Sequence, residues 1–262
     1  MNRTATVGKV GRASAGTGRV FIRLEQVGVK FRLLTEKDLT LKGRILSRLA
    51  GEPKSDREFW ALRGIDFEAG HGEVVGIIGP NGSGKSTLLR VIAGILYPSE
   101  GRVESRGQIQ PLLDVGGTLN GNLTGRQNAY LYAALNRIPR RMMDELIPKI
   151  MDFAELGPFF DVPTRMYSSG MLARLSFALA TALHPEVLLV DEVLAVGDER
   201  FQRKSYFRML KLIERGSLVL IVSHNLAFIE QVCTRAILLS AGRIAADGRP
   251  SDVIARYRRQ IG

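Results

Sequence analysis

The 262 residues read as an α/β core interrupted by a largely helical insertion. Three observations predict that class. Val74 to Ile78, Val187 to Val190 and Leu218 to Val222 are short continuous apolar runs, the pattern of strands covered on both faces. Helical periodicity separates the second run from the third. Between the first and second lies a long stretch, Leu123 to Leu183, that is mostly helical.

Taken in order, residues 1–19 form a basic flexible tail. Val20 to Val27 alternates as a first strand, with Phe31 close behind it. Glu36 to Ala50 reads as a helix, with Leu41, Ile45 and Leu49 on one side and Lys37, Arg44 and Arg48 on the other. Gly51, Pro53 and Ser55 break the chain before a second strand, Phe59 to Ala69, which turns at Gly70 and Gly72. The Val74 strand enters a glycine-rich loop, and Ser86 to Leu96 is helical. The insertion is helical from Leu123 to Phe153, interrupted near Pro139, and again from Gly170 to Leu183. A helix over Glu199 to Glu214, a short one near Leu226, strands Ala236 to Leu239 and Arg243 to Ala246, and a helix from Pro250 complete the chain. The expected division is one domain over 20–262, with 20–107 and 184–262 as its core and 108–183 as its helical subdomain.

Composition narrows the function classes. The apolar fraction of 45% excludes a disordered chain, and a single cysteine, Cys233, excludes a disulfide scaffold and fits a reducing compartment. No apolar run approaches the roughly 18 residues of a membrane span. The net charge of +11 lies mostly in the first quarter, where it can face an anionic membrane, nucleic acid or solvent.

Chemistry concentrates at two places. Gly79-Pro80-Asn81-Gly82-Ser83-Gly84-Lys85-Ser86-Thr87 matches G-x-x-x-x-G-K-[ST] between a predicted strand and a predicted helix. Its glycines let backbone N–H groups and a helix N-terminus face a phosphate chain, while Lys85 reaches the β- and γ-phosphates and Ser86 the Mg²⁺ shell. Asp191 and Glu192 end a buried strand; Asp191 is placed to hold Mg²⁺ and Glu192 to polarise the attacking water. Neighbouring residues leave a strand on opposite faces, so the two carboxylates can do different work. The metal residues are therefore Ser86 and Asp191, the cofactors ATP and Mg²⁺. His71 and His184 fit no metal spacing and read as structural.

Tyr167-Ser168-Ser169-Gly170-Met171 lies 24 positions before Asp191, and Ser223-His224 ends the next strand. With the loop, these residues resemble the ATP-binding cassette (ABC) proteins from about Val20 to the C-terminus. More narrowly, Tyr-Ser-Ser-Gly-Met followed by Arg174-Leu175 and Phe177-Ala178, together with Leu123 to Asn128 and Asp191 to Asp198, resembles the ATP-binding subunits of O-antigen, teichoic acid and capsular polysaccharide exporters.

The resemblance implies a P-loop NTPase (RecA-like) core with an antiparallel β subdomain and an inserted helical subdomain. It implies that Ser168, Ser169 and Gly170 contact the nucleotide held by a second copy in a head-to-tail homodimer. It also makes His224 a catalytic residue beside Glu192 and Lys85, and Asp198 the end of a loop linking the two sites. Phe31 matches the aromatic that stacks on adenine, with Trp60 as the substitute, and the glutamine between subdomains is left among Asp114, Val115 and Gln110. The implied partners are an integral membrane permease and, through it, a lipid-linked polysaccharide, with no nucleic acid. The implied location is peripheral, at the cytoplasmic face of the inner membrane. Some relatives carry a C-terminal carbohydrate-binding domain; this chain stops at Gly262, so cargo choice is expected of the permease.

Overall fold

The structure is a computed structural model describing residues 21–33, 57–113, 119–191 and 198–261. The tail, the Glu36–Ala50 helix, Glu192, Asp114 and Val115 lie outside the described residues.

Among the described residues nine strands form two sheets. Strands β1 (Phe21–Leu33), β2 (Arg57–Gly70) and β4 (Glu100–Ser105) make an antiparallel sheet in the order β2-β1-β4. The larger sheet runs β5-β6-β7-β3-β8-β9. It contains β3 (Val74–Ile78), β5 (Ile109–Leu112), β6 (Val187–Asp191), β7 (Leu218–Val222), β8 (Arg235–Ser240) and β9 (Arg243–Gly248). All its neighbours pair in parallel except β8 with β9.

The apolar runs are continuous because the large sheet is covered on both sides. Along β3, Val75 and Ile77 join one core cluster and Val74 and Ile78 the other; along β6, Val187 and Leu189 separate in the same way from Leu188 and Val190. One cluster is closed by the antiparallel sheet and α1 (Lys85–Ile92), through Leu62, Phe67, Leu88 and Ile92. The other is closed by α2 (Gly125–Leu135), α3 (Arg140–Ala154), α4 (Ser169–Ala182), α5 (Glu199–Glu214), α6 (Leu226–Val232) and α7 (Pro250–Ile261). Helix α3 buries Met143, Ile147, Ile150 and Phe153, one stripe at helical spacing, and keeps Pro148 on its exposed side.

Three sequence expectations are corrected. β1 continues through Phe31 because β2 pairs with it to its end, Leu33 opposite Arg57. The helix after the loop stops at Ile92, short of Leu96, where Gly94 takes a positive φ. The helical subdomain does not begin at residue 108. Ile109–Leu112 is a strand of the main sheet beside β6, and its length and the intrusion of Pro111 hid it from pattern reading.

Candidate functional site

β3 delivers the chain to its C-terminal edge, and the loop that follows is shaped by what surrounds it. A methyl group on Gly79 would sit 2.1 Å from the carbonyl oxygen of Leu239, and one on Gly84 would sit 2.5 Å from that of Ala61. Gly84 also has φ 104°, in the region that favours glycine, and begins α1 without a side-chain cap. The first N–H groups of α1 therefore have no side-chain cap, and no acidic side chain in the first turn competes for an anion there. Lys85 is buried, its Nζ donating to the carbonyls of Gly79 and Pro80 at 2.9 Å each, so its ammonium is held over the loop. Ser83 Oγ is buried with no hydrogen-bond partner among the described residues, a polar atom that a phosphate oxygen would satisfy. The loop fits a nucleotide's phosphates.

The residues expected to hold a metal are positioned by register. Asp191 lies opposite Val222 on β7, and Val222 opposite Ile77 on β3, so the three occupy one row at the same edge of the sheet. Two strand spacings, about 10 Å, separate Asp191 from the root of the loop. Ser86 stands half-buried in the first turn of α1, and His224 is exposed just beyond Val222. A hydroxyl and a carboxylate are hard oxygen donors of the kind Mg²⁺ takes alongside phosphates and water. No group of three His, Cys, Asp or Glu residues suited to a metal occurs among the described residues.

Gln110 is placed elsewhere. It pairs with Leu188, three residues short of Asp191, and its buried side chain accepts from the Tyr132 hydroxyl at 2.5 Å.

The adenine candidates separate by exposure. Trp60 lies against Gly28 and is flanked by Lys30 and Arg63 at 5.4 and 5.3 Å from its ring centre, which occupies it within the sheet. Phe31 is 40% exposed, and directly opposite it in register stands Phe59, 50% exposed. Phe59 is two residues from Ala61, whose carbonyl crowds Gly84, so Phe59 stands on the strand that borders the phosphate loop and Phe31 on the strand beside it. Sequence reading missed Phe59 because only the β1–β2 register reveals that it stands opposite Phe31.

Ser168 is the N-cap of α4, its Oγ accepting from Met171 N at 3.2 Å, and it is exposed with Ser169. Tyr167 is turned inward, its hydroxyl donating to the Phe159 carbonyl at 2.5 Å. The Leu123 to Asn128 segment supports this corner. Thr124 and Gln127 form a reciprocal capping box at the start of α2, and buried Asn128 donates to the carbonyls of Asn120, Leu123 and Thr124. Gly125 lies so close to Tyr167 that a methyl group there would meet the hydroxyl at 2.7 Å. The residues that carry the subgroup resemblance thus brace the serine-glycine turn.

Asp198 caps α5 by accepting from Phe201 N at 2.8 Å and pairs with Arg174 of α4. Arg174 also reaches Glu155, which ends α3 in a left-handed conformation and draws in Lys204 at 2.8 Å and Arg200 at 3.7 Å. The hydrogen bond from Lys204 is the main reason the Glu155 carboxyl is held below its ordinary value. This knot joins α3, α4 and α5, and sequence reading had no signal for it.

A sheet edge carrying a phosphate loop, an in-register carboxylate and a serine-capped helix defines a nucleotide-binding cassette. The ABC transporter family model matches residues 62–195, just over half of the chain, which belongs to that family. The chain is 39% identical over 245 residues to the teichoic acids export ATP-binding protein TagH of Lactococcus lactis, across 94% of this chain and 52% of that protein. It is 40% identical over 205 residues to the O-antigen export system ATP-binding protein RfbB of Klebsiella pneumoniae, across 78% of this chain and 83% of that one. The dimeric structure of the ATP-binding cassette MJ0796 in a post-hydrolysis state with ADP and phosphate matches with TM-score 0.71 at 22% identity, over 87% and 98% of the two chains. That likeness is one of fold. The chain spans about half the length of the TagH relative. Among the described residues no helix is long and apolar enough to cross a membrane.

Proposed function

We propose that this chain hydrolyses ATP to drive export of a lipid-linked polysaccharide through a separate membrane permease, working as a homodimer at the cytoplasmic face of the inner membrane. The observation that carries the ATPase reading is the shared row of Asp191, Val222 and Ile77 beside the Lys85 loop, which brings phosphate cradle and acidic strand end to one edge. The polysaccharide reading rests on the TagH and RfbB relatives, whose names specify teichoic acid and O-antigen export.

In this mechanism the N–H groups of the loop and of the first turn of α1 orient the triphosphate, and Lys85 neutralises charge on its terminal oxygens. Ser86 and Asp191 would hold Mg²⁺, which when bound offsets the charge of the phosphate oxygens. Glu192 takes the proton of the attacking water, and His224 stands on the adjoining strand end to orient the γ-phosphate. Ser168, Ser169 and Gly170 of one copy close on the nucleotide of the other, presenting serine hydroxyls and the N-terminus of a helix. Phe31 stacks on adenine, and Asp198, through Arg174, sets the start of α5 against the serine-capped helix.

Glu192→Gln tests the chemistry. Turnover should fall about 10² to 10⁴-fold, the usual cost of a lost general base, while ATP binding persists, because the loop is untouched; near-normal hydrolysis would remove Glu192 from that role. For the cargo, deletion of the chain should strip polysaccharide from the cell surface and leave the lipid-linked form inside. An unchanged surface would send the ATPase to a different cargo.

A further inference from the structure

At the end of α4 remote from Ser168, a small pocket of about 70 Å³, partly open to solvent, lies between α3, α4 and α5. Its floor is apolar, built from Ile150 of α3 with Ala178 and Ala182 of α4. Around it stand Lys149, His184 and Arg208.

The charge here is one-sided. Lys149 is exposed, Arg208 half-buried, and Arg215 ends α5 close enough to act on both the imidazole and Arg208. Among the described residues no carboxylate pairs with Lys149, Arg208 or Arg215, whereas Glu155 at the end of α3 gathers three other cations at once. The guanidinium of Arg208 lies 4.3 Å from the Phe153 ring centre, which steadies it without neutralising it. Partial desolvation by the pocket wall, followed by Arg215, Arg208 and Lys149, holds the imidazole of His184 below its ordinary value, and burial and Arg215 lower Arg208. His184 also takes φ 51° immediately after the helix, a position where glycine is the unstrained choice. The fold bears both like-charge repulsion and backbone strain to place these groups at one opening, and an anion relieves the first.

We propose that this pocket binds a small organic anion, a carboxylate or phosphate monoester on a short apolar chain, with its charge among Lys149, His184 and Arg208 and its chain on Ile150, Ala178 and Ala182. Such a ligand would tie the helical subdomain to α5, the helix that starts at Asp198. It is distinct from the nucleotide's place, because the phosphate loop lies on β3 and α1 and shares no residue with this pocket.

The test follows the three histidines of the full chain by NMR, with His184 identified by its loss in His184→Gln. The protein is kept saturated with ADP, so that the phosphate loop is filled, and ionic strength is constant. Hexanoate and hexyl phosphate are the probes; acetate and hexylammonium are the controls. Saturable binding of a probe should raise the His184 titration midpoint by about one unit, the effect of an opposite charge at contact distance, and whichever probe saturates first identifies the head group. Lys149→Gln, at an exposed position where the fold has nothing to lose, should raise the half-saturating concentration about tenfold, the worth of one charge-assisted hydrogen bond. A midpoint that neither probe moves, one that acetate moves equally, or a response unchanged in Lys149→Gln would overturn the proposal.

Discussion

A methyl group on Gly79 would strike the Leu239 backbone at 2.1 Å, whereas one on Gly170 meets nothing nearer than its neighbour Ser168 Oγ at 3.8 Å. The phosphate loop and the serine-glycine turn each present a helix N-terminus, yet among the described residues only the first has packing that dictates its glycines. Around the loop, Leu239, Ala61 and Leu62 dictate glycine at two positions, and Lys85 is buried against the carbonyls it bonds. At the turn, Ser168 and Ser169 are exposed, and no packing among the described residues asks for glycine at 170. The head-to-tail dimer proposed above would give this turn a contact outside the chain.

The contrast is sharpest in paired substitutions. Gly79→Ala should destabilise the chain by about 1 to 3 kcal/mol, the cost of overpacking, and abolish nucleotide binding, read by thermal unfolding with and without ATP. Gly170→Ala should leave stability within about 1 kcal/mol of the parent, since alanine is the better helix former, while ATP turnover in the assembled complex collapses. Full turnover in Gly170→Ala would break the comparison and return the turn to a structural role. Mixing Ser168→Arg chains with Lys85→Ala chains sharpens it further. In a head-to-tail dimer one composite site carries both defects and the other neither, so half of the ATP sites in mixed dimers should fill, and equal loss at both would exclude that geometry.

A smaller effect is expected at the aromatic pair. Phe31→Ala and Phe59→Ala should each weaken ATP binding by about 1 to 3 kcal/mol if the ring stacks on the base, with GTP and ATP affected alike because every base offers a π-face. Trp60→Phe, held within the sheet by Gly28, Lys30 and Arg63, should change affinity little. The smallest effect belongs to Glu155. Its carboxyl is held below the ordinary value chiefly by Lys204, so its contribution is present above that value and is lost as pH falls through the lowered one. Glu155→Gln should cost about 1 kcal/mol or less at pH 7, as partly exposed pairs do, and the difference in unfolding midpoint from the parent should close as the solution is acidified below the ordinary glutamate range.

The sequence alone determined the motifs that are local in the chain. The phosphate loop needs nine consecutive residues between a strand and a helix, Ser168 needs only to precede α4, and the paired acids need only to end an apolar run; each is a short-range rule visible in the order of residues. Helix α5 and strands β3 and β7 likewise occupy the ranges their patterns predict, because continuous burial and amphipathic periodicity are imposed at every position. Tertiary structure decided what depends on register and on neighbours distant in sequence. That Asp191 shares a row with Ile77, that Phe59 stands opposite Phe31, that Ile109–Leu112 joins the core sheet, and that Glu155 gathers Arg174, Arg200 and Lys204 are all consequences of pairings between segments far apart in the chain. A strand's own pattern says which face is buried but not which strand lies beside it, and a charged side chain's partner is set by how helices pack, so neither can be read from the residues next to it.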